Sequence, residues 1–160
     1  MARDILHNSP LLVPTKVISF VTWLQGQFVP GWWSVDVDQK NKFPILALTG
    51  PRQSGKTTLL KELFHDYRYI SLESPDVRLF AENDPHGFLT EYDSRVILDE
   101  VQRVPQLFSY LQTRVDESKI MGQYILSGSQ NFHLLNSITQ TLAGRVVLFK
   151  LLPLDLTELK

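Results

Sequence analysis

Apolar residues fall into two kinds of run along this chain, and from Phe43 onward the two alternate. Ile45 to Thr49 is a short apolar run without polar alternation, the pattern of a strand buried on both faces. Lys56 to Tyr67 follows with Leu59, Leu60, Leu63, Phe64 and Tyr67 at helical spacing. Tyr69 to Leu72 predicts a second strand, Arg95 to Asp99 a third, Tyr124 to Ser127 a fourth and Val146 to Leu151 a fifth. Short helices are expected over Pro75 to Glu82 and Pro85 to Asp93, each opened by a proline that the first helical turn tolerates. Pro105 opens a helix whose Leu107, Phe108, Leu111 and Val115 form a stripe, and Leu134 to Leu142 is another. Alternating strands and helices of this kind predict an α/β domain with a parallel sheet.

The first 42 residues differ from the rest and are expected to form an N-terminal arm beside a core over 43–160. All three tryptophans (Trp23, Trp32, Trp33) lie there. Pro14 and Thr15 signal the start of a short helix with Val17, Phe20, Val21, Leu24 and Phe28 on one face, broken by Gly26, Pro30 and Gly31. Packing of this arm on the core is the simpler expectation, and a partner-binding surface the alternative.

Composition removes function classes rather than adding them. The chain has 160 residues and no cysteine, which excludes disulfides, thiolate metal sites and a cysteine nucleophile. Sixteen basic against 17 acidic residues leave a net charge of −1, so nothing global calls for nucleic acid, although a local patch is not excluded. The stretch from Leu11 to Trp33 is interrupted by Pro14, Lys16, Gln25, Gln27 and Pro30, too polar for a membrane span. With no basic start leading into a clean apolar run, the expected location is the cytoplasm. His7, His65, His86 and His133 show no metal-ligand spacing.

Between the first strand and the first helix of this alternation lies Gly50-Pro51-Arg52-Gln53-Ser54-Gly55-Lys56-Thr57, a complete G-x-x-x-x-G-K-[ST] phosphate loop (Walker A). The glycines let backbone N–H groups turn inward on an anion, and the helix N-terminus that follows favours negative charge. Lys56 would serve the β- and γ-phosphates and the Thr57 hydroxyl a Mg²⁺ ion, with Thr58 completing the cradle. Val96 to Glu100 supplies the acidic partner, a strand ending in two carboxylates (Walker B). Asp99 is the candidate for holding Mg²⁺, directly or through water, and Glu100 for orienting or deprotonating the attacking water. The acid pair favours a hydrolytic ATPase, and the lack of an [NT]-K-x-D segment after the loop favours ATP over GTP.

Ser127 or Ser129, ending the fourth strand, could hydrogen-bond the γ-phosphate or the attacking water; the sequence does not choose between them. By resemblance to AAA-type ATPase cores, in which an arginine at this place often projects toward a neighbouring subunit, Arg145, entering the fifth strand, is the candidate for reaching the nucleotide of a neighbouring copy, which would make the protein a homo-oligomer. The plain alternative is a surface arginine at a strand start.

Taken in order, Gly50 to Leu60, Asp84-Pro85, Ile97 to Gln102, Val104-Pro105 with Leu107-Phe108, Leu126 to Ser129 and Leu142 to Arg145 resemble the bacterial and archaeal AAA-type ATP-binding proteins. The resemblance covers residues 43–160 and departs at Ser54, where that family carries an apolar residue. It implies a three-layer P-loop NTPase fold with a parallel five-stranded sheet in the order 5-1-4-3-2 and the nucleotide at the strands' C-terminal edge. It also implies that the chain is the nucleotide-binding part of a larger protein that continues into a lid and a C-terminal domain. The expected function is Mg²⁺-dependent ATP binding and hydrolysis coupled to a partner or to that domain. A nucleotide-binding switch or oligomerisation scaffold without hydrolysis is the alternative. A small-molecule kinase ranks last, since only Arg103 and Arg114 lie between Val101 and Lys119, too few for an arginine-rich lid.

Overall fold

The computed structural model describes residues 15–19, 37–129 and 132–152. Five strands have the predicted places: β2 (Ile45–Gly50), β3 (Arg68–Ser71), β4 (Val96–Asp99), β5 (Tyr124–Ser129) and β6 (Val146–Leu152). They pair in parallel as β6-β2-β5-β4-β3, the 5-1-4-3-2 order expected when strands are counted from Ile45. β2 sits in the middle with all six residues buried, as its unbroken apolar run requires.

A sixth strand, β1 (Thr15–Ser19), lies parallel to β6 and extends the sheet at that edge. This corrects the expectation of a helix beginning at Pro14–Thr15. Lys16, Val17 and Ile18 pair with Phe149, Lys150 and Leu151, so the sheet edge captures a segment whose β-branched residues suit a strand. Phe20, Val21, Leu24, Phe28 and the three tryptophans lie outside the described residues.

Side-chain parity divides the core in two. Ile45, Ala47, Val96, Leu98, Tyr124, Leu126, Val146 and Leu148 face one side of the sheet. There they meet Ala81 of α2 (Pro75–Asn83), Phe88 and Leu89 of α3 (Pro85–Glu91), Leu107 to Val115 of α4 (Leu107–Ser118), and Ile138 of α5 (Phe132–Thr141). Leu46, Leu48, Ile97, Ile125, Val147 and Phe149 face the other, against Leu59, Leu60 and Phe64. Leu59 and Leu60 belong to α1 (Lys56–Leu63), and Phe64 caps its end with an N–H donated to the Leu60 carbonyl. Each large side chain so buried contributes about 1.5–3 kcal/mol.

Helix ends differ from the periodicity by one to four residues, most at α1. α1 stops at Leu63, short of Tyr67, because the chain must turn into β3; the Tyr67 hydroxyl instead donates to the Gly122 carbonyl at 2.6 Å. α4 begins at Leu107, and Pro105 belongs to the tight turns before it, where Leu107 N–H donates to Val104 and Phe108 N–H to Pro105. α3 is capped as Asp84-Pro85 suggests. Asp84 Oδ1 accepts from Gly87 N–H at 2.8 Å, and a Cβ at Gly87 would fall 2.1 Å from the same carboxylate.

Candidate functional site

The C-terminal ends of β2, β4 and β5 converge on the sheet face covered by α1. β2 runs into the phosphate loop at Gly50, which lies opposite Ser129 of β5. A Cβ at Gly50 would come within 2.7 Å of the Leu151 carbonyl, so the close approach of β6 demands glycine. The loop then turns through two left-handed residues, Gln53 (φ 60°) and Gly55 (φ 81°). Ser54 Oγ donates to the Pro51 carbonyl at 2.8 Å, so the hydroxyl that replaces the family's apolar residue is satisfied inside the loop. α1 starts with no side-chain cap on its first N–H groups, leaving donors at the positive end of the helix for an anion. Arg52, Gln53 and Thr58 are exposed around the loop, and Ser54, Gly55 and Thr57 are half-buried.

Lys56 is 5% exposed and folds back over the loop, donating to the carbonyls of Gly50 at 3.1 Å and Pro51 at 2.6 Å. Burial lowers its pKa below the ordinary lysine value, while the charges of Glu100 and Asp99 oppose that shift.

Asp99 is the hub. It is buried at the end of β4, and its carboxylate accepts on all sides. Oδ2 receives Thr57 Oγ1 at 2.9 Å and the Tyr69 hydroxyl at 2.6 Å. Oδ1 receives the Ser127 hydroxyl and the Glu100 N–H, the latter at 3.0 Å. These four donors match the roughly four lone-pair sites of a carboxylate. Register explains the gathering: Tyr69 lies opposite Ile97, two residues before Asp99, and Ile97, Ile125 and Leu48 all face α1. Tyr69 is held by Asp99 and by Lys61, whose Nζ sits 3.9 Å above the ring. Burial, then the hydrogen bond and charge of Asp99, push its phenol up to about 12.

Backbone pairing between β4 and β5 ends at Leu98–Leu126, whereas β5 stays paired with β2 as far as Ser129. Beyond that point side chains join the two strands. Ser127 ties to Asp99, and Ser129 Oγ accepts from Gln102 Nε2 at 3.0 Å. The same Gln102 nitrogen donates to Glu100 Oε2. Glu100 itself adopts the left-handed conformation (φ 55°) and starts a short 3-10 turn over Val101–Arg103. The two serines therefore divide: Ser127 bonds Asp99 directly, and Ser129 is linked to Glu100 only through Gln102.

Lys56, Thr57, Asp99, Glu100, Ser127 and Ser129 are brought together. Arg145 is not among them. Its carbonyl accepts from Ile45 N–H at the start of β2, five residues and about 17 Å of strand from Gly50. There its guanidinium grips Asp116 with Nε to Oδ1 at 2.6 Å and NH2 to Oδ2 at 2.8 Å, and NH1 donates to Ala143. Tyr69 and Gln102 are site residues that the motif reading missed; register and a two-residue offset from Glu100 were the signals available.

The donor set fits a Mg²⁺–nucleotide. Hard oxygens from Thr57 and Asp99 suit magnesium, a lysine and uncapped amides suit phosphates, and among the described residues no cluster of three His, Asp or Glu offers an all-protein cage. No helix among the described residues is long and apolar enough to cross a membrane.

Residues 42–160 match the AAA domain family (AAA_14). Two curated relatives, uncharacterized proteins of Mycobacterium bovis and Mycobacterium tuberculosis, are each 34% identical over 119 residues, 69% of this chain and 25% of theirs. The chain thus spans about a quarter of the length of the curated relatives it matches. Among solved structures it is similar to the DnaC helicase loader, at 13% identity and a TM-score of 0.46 over 72% of this chain and 80% of that one. With a phosphate loop, an acidic strand and a family match over the whole five-stranded core, the chain belongs to the AAA domain family, a P-loop nucleotide-binding fold.

Proposed function

We propose that residues 43–160 form an ATPase core that binds Mg²⁺–ATP and hydrolyses it, coupling nucleotide state to a partner or to further parts of a longer protein. The observation that carries this reading is the Asp99 hub, because it ties the helix of the phosphate loop, through Thr57, to the acidic strand end. When bound, magnesium supplies charge neutralisation on the phosphates and a fixed oxygen geometry.

The chain's own groups take the following roles. Lys56 and the loop N–H groups of Arg52, Gln53, Ser54, Gly55, Thr57 and Thr58 hold the phosphates, while Gly50 and Pro51, which has no N–H to give, shape the entry to the loop. Thr57 and Asp99 would hold the metal: Thr57 keeps lone pairs free while its proton goes to Asp99, and Asp99 would take its share once one of its four present donors moves aside. Glu100 orients the attacking water and accepts its proton. Ser127 steadies Asp99, and Ser129 lies where a hydroxyl reaches the reacting end. Arg145, at the opposite edge of the sheet, is suited to act only on a neighbouring copy and must first leave Asp116.

Glu100→Gln should keep ATP affinity and lose most turnover, whereas Lys56→Ala should weaken both. Fluorescent-nucleotide titration beside phosphate release checks this, and an unchanged rate in Glu100→Gln would remove the assigned role.

A further inference from the structure

We infer that Gln102 is a positioning residue for the Glu100 carboxylate, acting as a clamp between Glu100 on the β4 side and Ser129 at the end of β5. The inference rests on the hydrolytic reading above and adds to it the group that aims the base.

Three observations carry it. First, Gln102 Nε2 donates to both Glu100 Oε2 and Ser129 Oγ, so one amide joins the base to the strand beside the phosphate loop. The amide orientation is chemically determined, because an ionised carboxylate only accepts and must face the NH₂ group. Second, the clamp begins where backbone pairing has stopped: β4 and β5 part after Leu98–Leu126, and nothing in the ladder fixes Glu100. Third, Glu100 is a non-glycine residue at φ 55°, a conformation that persists only where surroundings over-determine it. The 3-10 turn closed by Arg103 N–H on the Glu100 carbonyl at 3.0 Å returns Gln102 over Glu100 and does that work. Gln102 Oε1 is buried and accepts no hydrogen bond from the protein, so it adds an unused acceptor beside the base.

A carboxylate with several free rotamers meets its water in only a fraction of encounters, and misplacement by an ångström costs about a hundredfold in rate. Gln102→Met keeps the length of the side chain and removes the amide. It should lower kcat about ten- to hundredfold and leave ATP affinity unchanged, the split expected of a group acting only on the reacting state. In a Glu100→Gln background the same change should cost nothing further, because the clamp has no other route to the chemistry. Ser129→Ala should lower kcat in the same direction by less.

A second readout does not depend on turnover. The side-chain NH₂ resonances of Gln102, assigned by their loss in Gln102→Met, should shift in both Glu100→Gln and Ser129→Ala. Unmoved resonances would overturn the clamp, as would a rise in kcat in Gln102→Met or full additivity with Glu100→Gln. If the wild-type protein releases no phosphate, the hydrolytic reading fails alone, and the amide resonances still decide the clamp.

Discussion

Replacing Tyr69 by phenylalanine removes one hydroxyl from the Asp99 hub and little else, because the ring stays under Lys61. A hydrogen bond to a charged group contributes about 1.5–3 kcal/mol. The phenol's rise from 10 to about 12 comes first from burial and only then from the Asp99 hydrogen bond and charge, so it bounds that figure from above. Two pH units correspond to about 2.7 kcal/mol when fully shielded. Tyr69 is only half-buried, so solvent screening brings the expected cost of Tyr69→Phe to about 1–2 kcal/mol at neutral pH. For a chain of this size that is a fall in Tm of about 2–8 °C. The pH dependence carries the sharper signature. Because the folded-state pKa is raised, the contribution is complete below pH 10 and is lost as pH rises through about 12. The stability gap between wild type and variant should therefore shrink by at least about half by pH 11. Urea denaturation of both proteins at pH 8 and 11 measures the gap directly, since other alkaline titrations are common to the pair. A gap that stays constant across that range, or is absent at pH 8, would refute the placement of the phenol on Asp99.

Gly50→Ala should cost about 1–3 kcal/mol and weaken nucleotide binding, since the new methyl group meets the Leu151 carbonyl and β6 must give way; thermal melts with and without ATP test this. Arg145→Ala should leave the monomer's ATP affinity unchanged, because Arg145 lies at the far edge of the sheet. It should abolish any rise of specific activity with protein concentration, and a concentration-independent rate in the wild type would remove the proposed role across subunits.

The phosphate loop and the acid pair were legible because each is local: a glycine-bounded loop between an unbroken apolar run and an amphipathic helix, then an apolar run ending in Asp99-Glu100; the strand order came only with the family resemblance these motifs carry. β1 was not legible. Its partner β6 lies more than a hundred residues away, and Val17 fits a helical face as well as a strand until that edge is available. Tyr69 escaped notice because strand register alone carries it to Asp99, from a segment that reads as ordinary core. Gln102 stands two residues beyond Glu100, and only the left-handed turn at Glu100 brings its amide back over the carboxylate. The choice between Ser127 and Ser129 was likewise open in the sequence. Both point to the same face of β5, and their partners distinguish them, Asp99 for Ser127 and the Gln102 amide for Ser129.

Hydrolysis by this core is read by single-turnover phosphate release with stoichiometric ATP. Release should require Mg²⁺, stop in EDTA and be lost in Glu100→Gln while bound ATP remains. ATP that stays intact on the wild-type protein with Mg²⁺ present would contradict the hydrolytic reading.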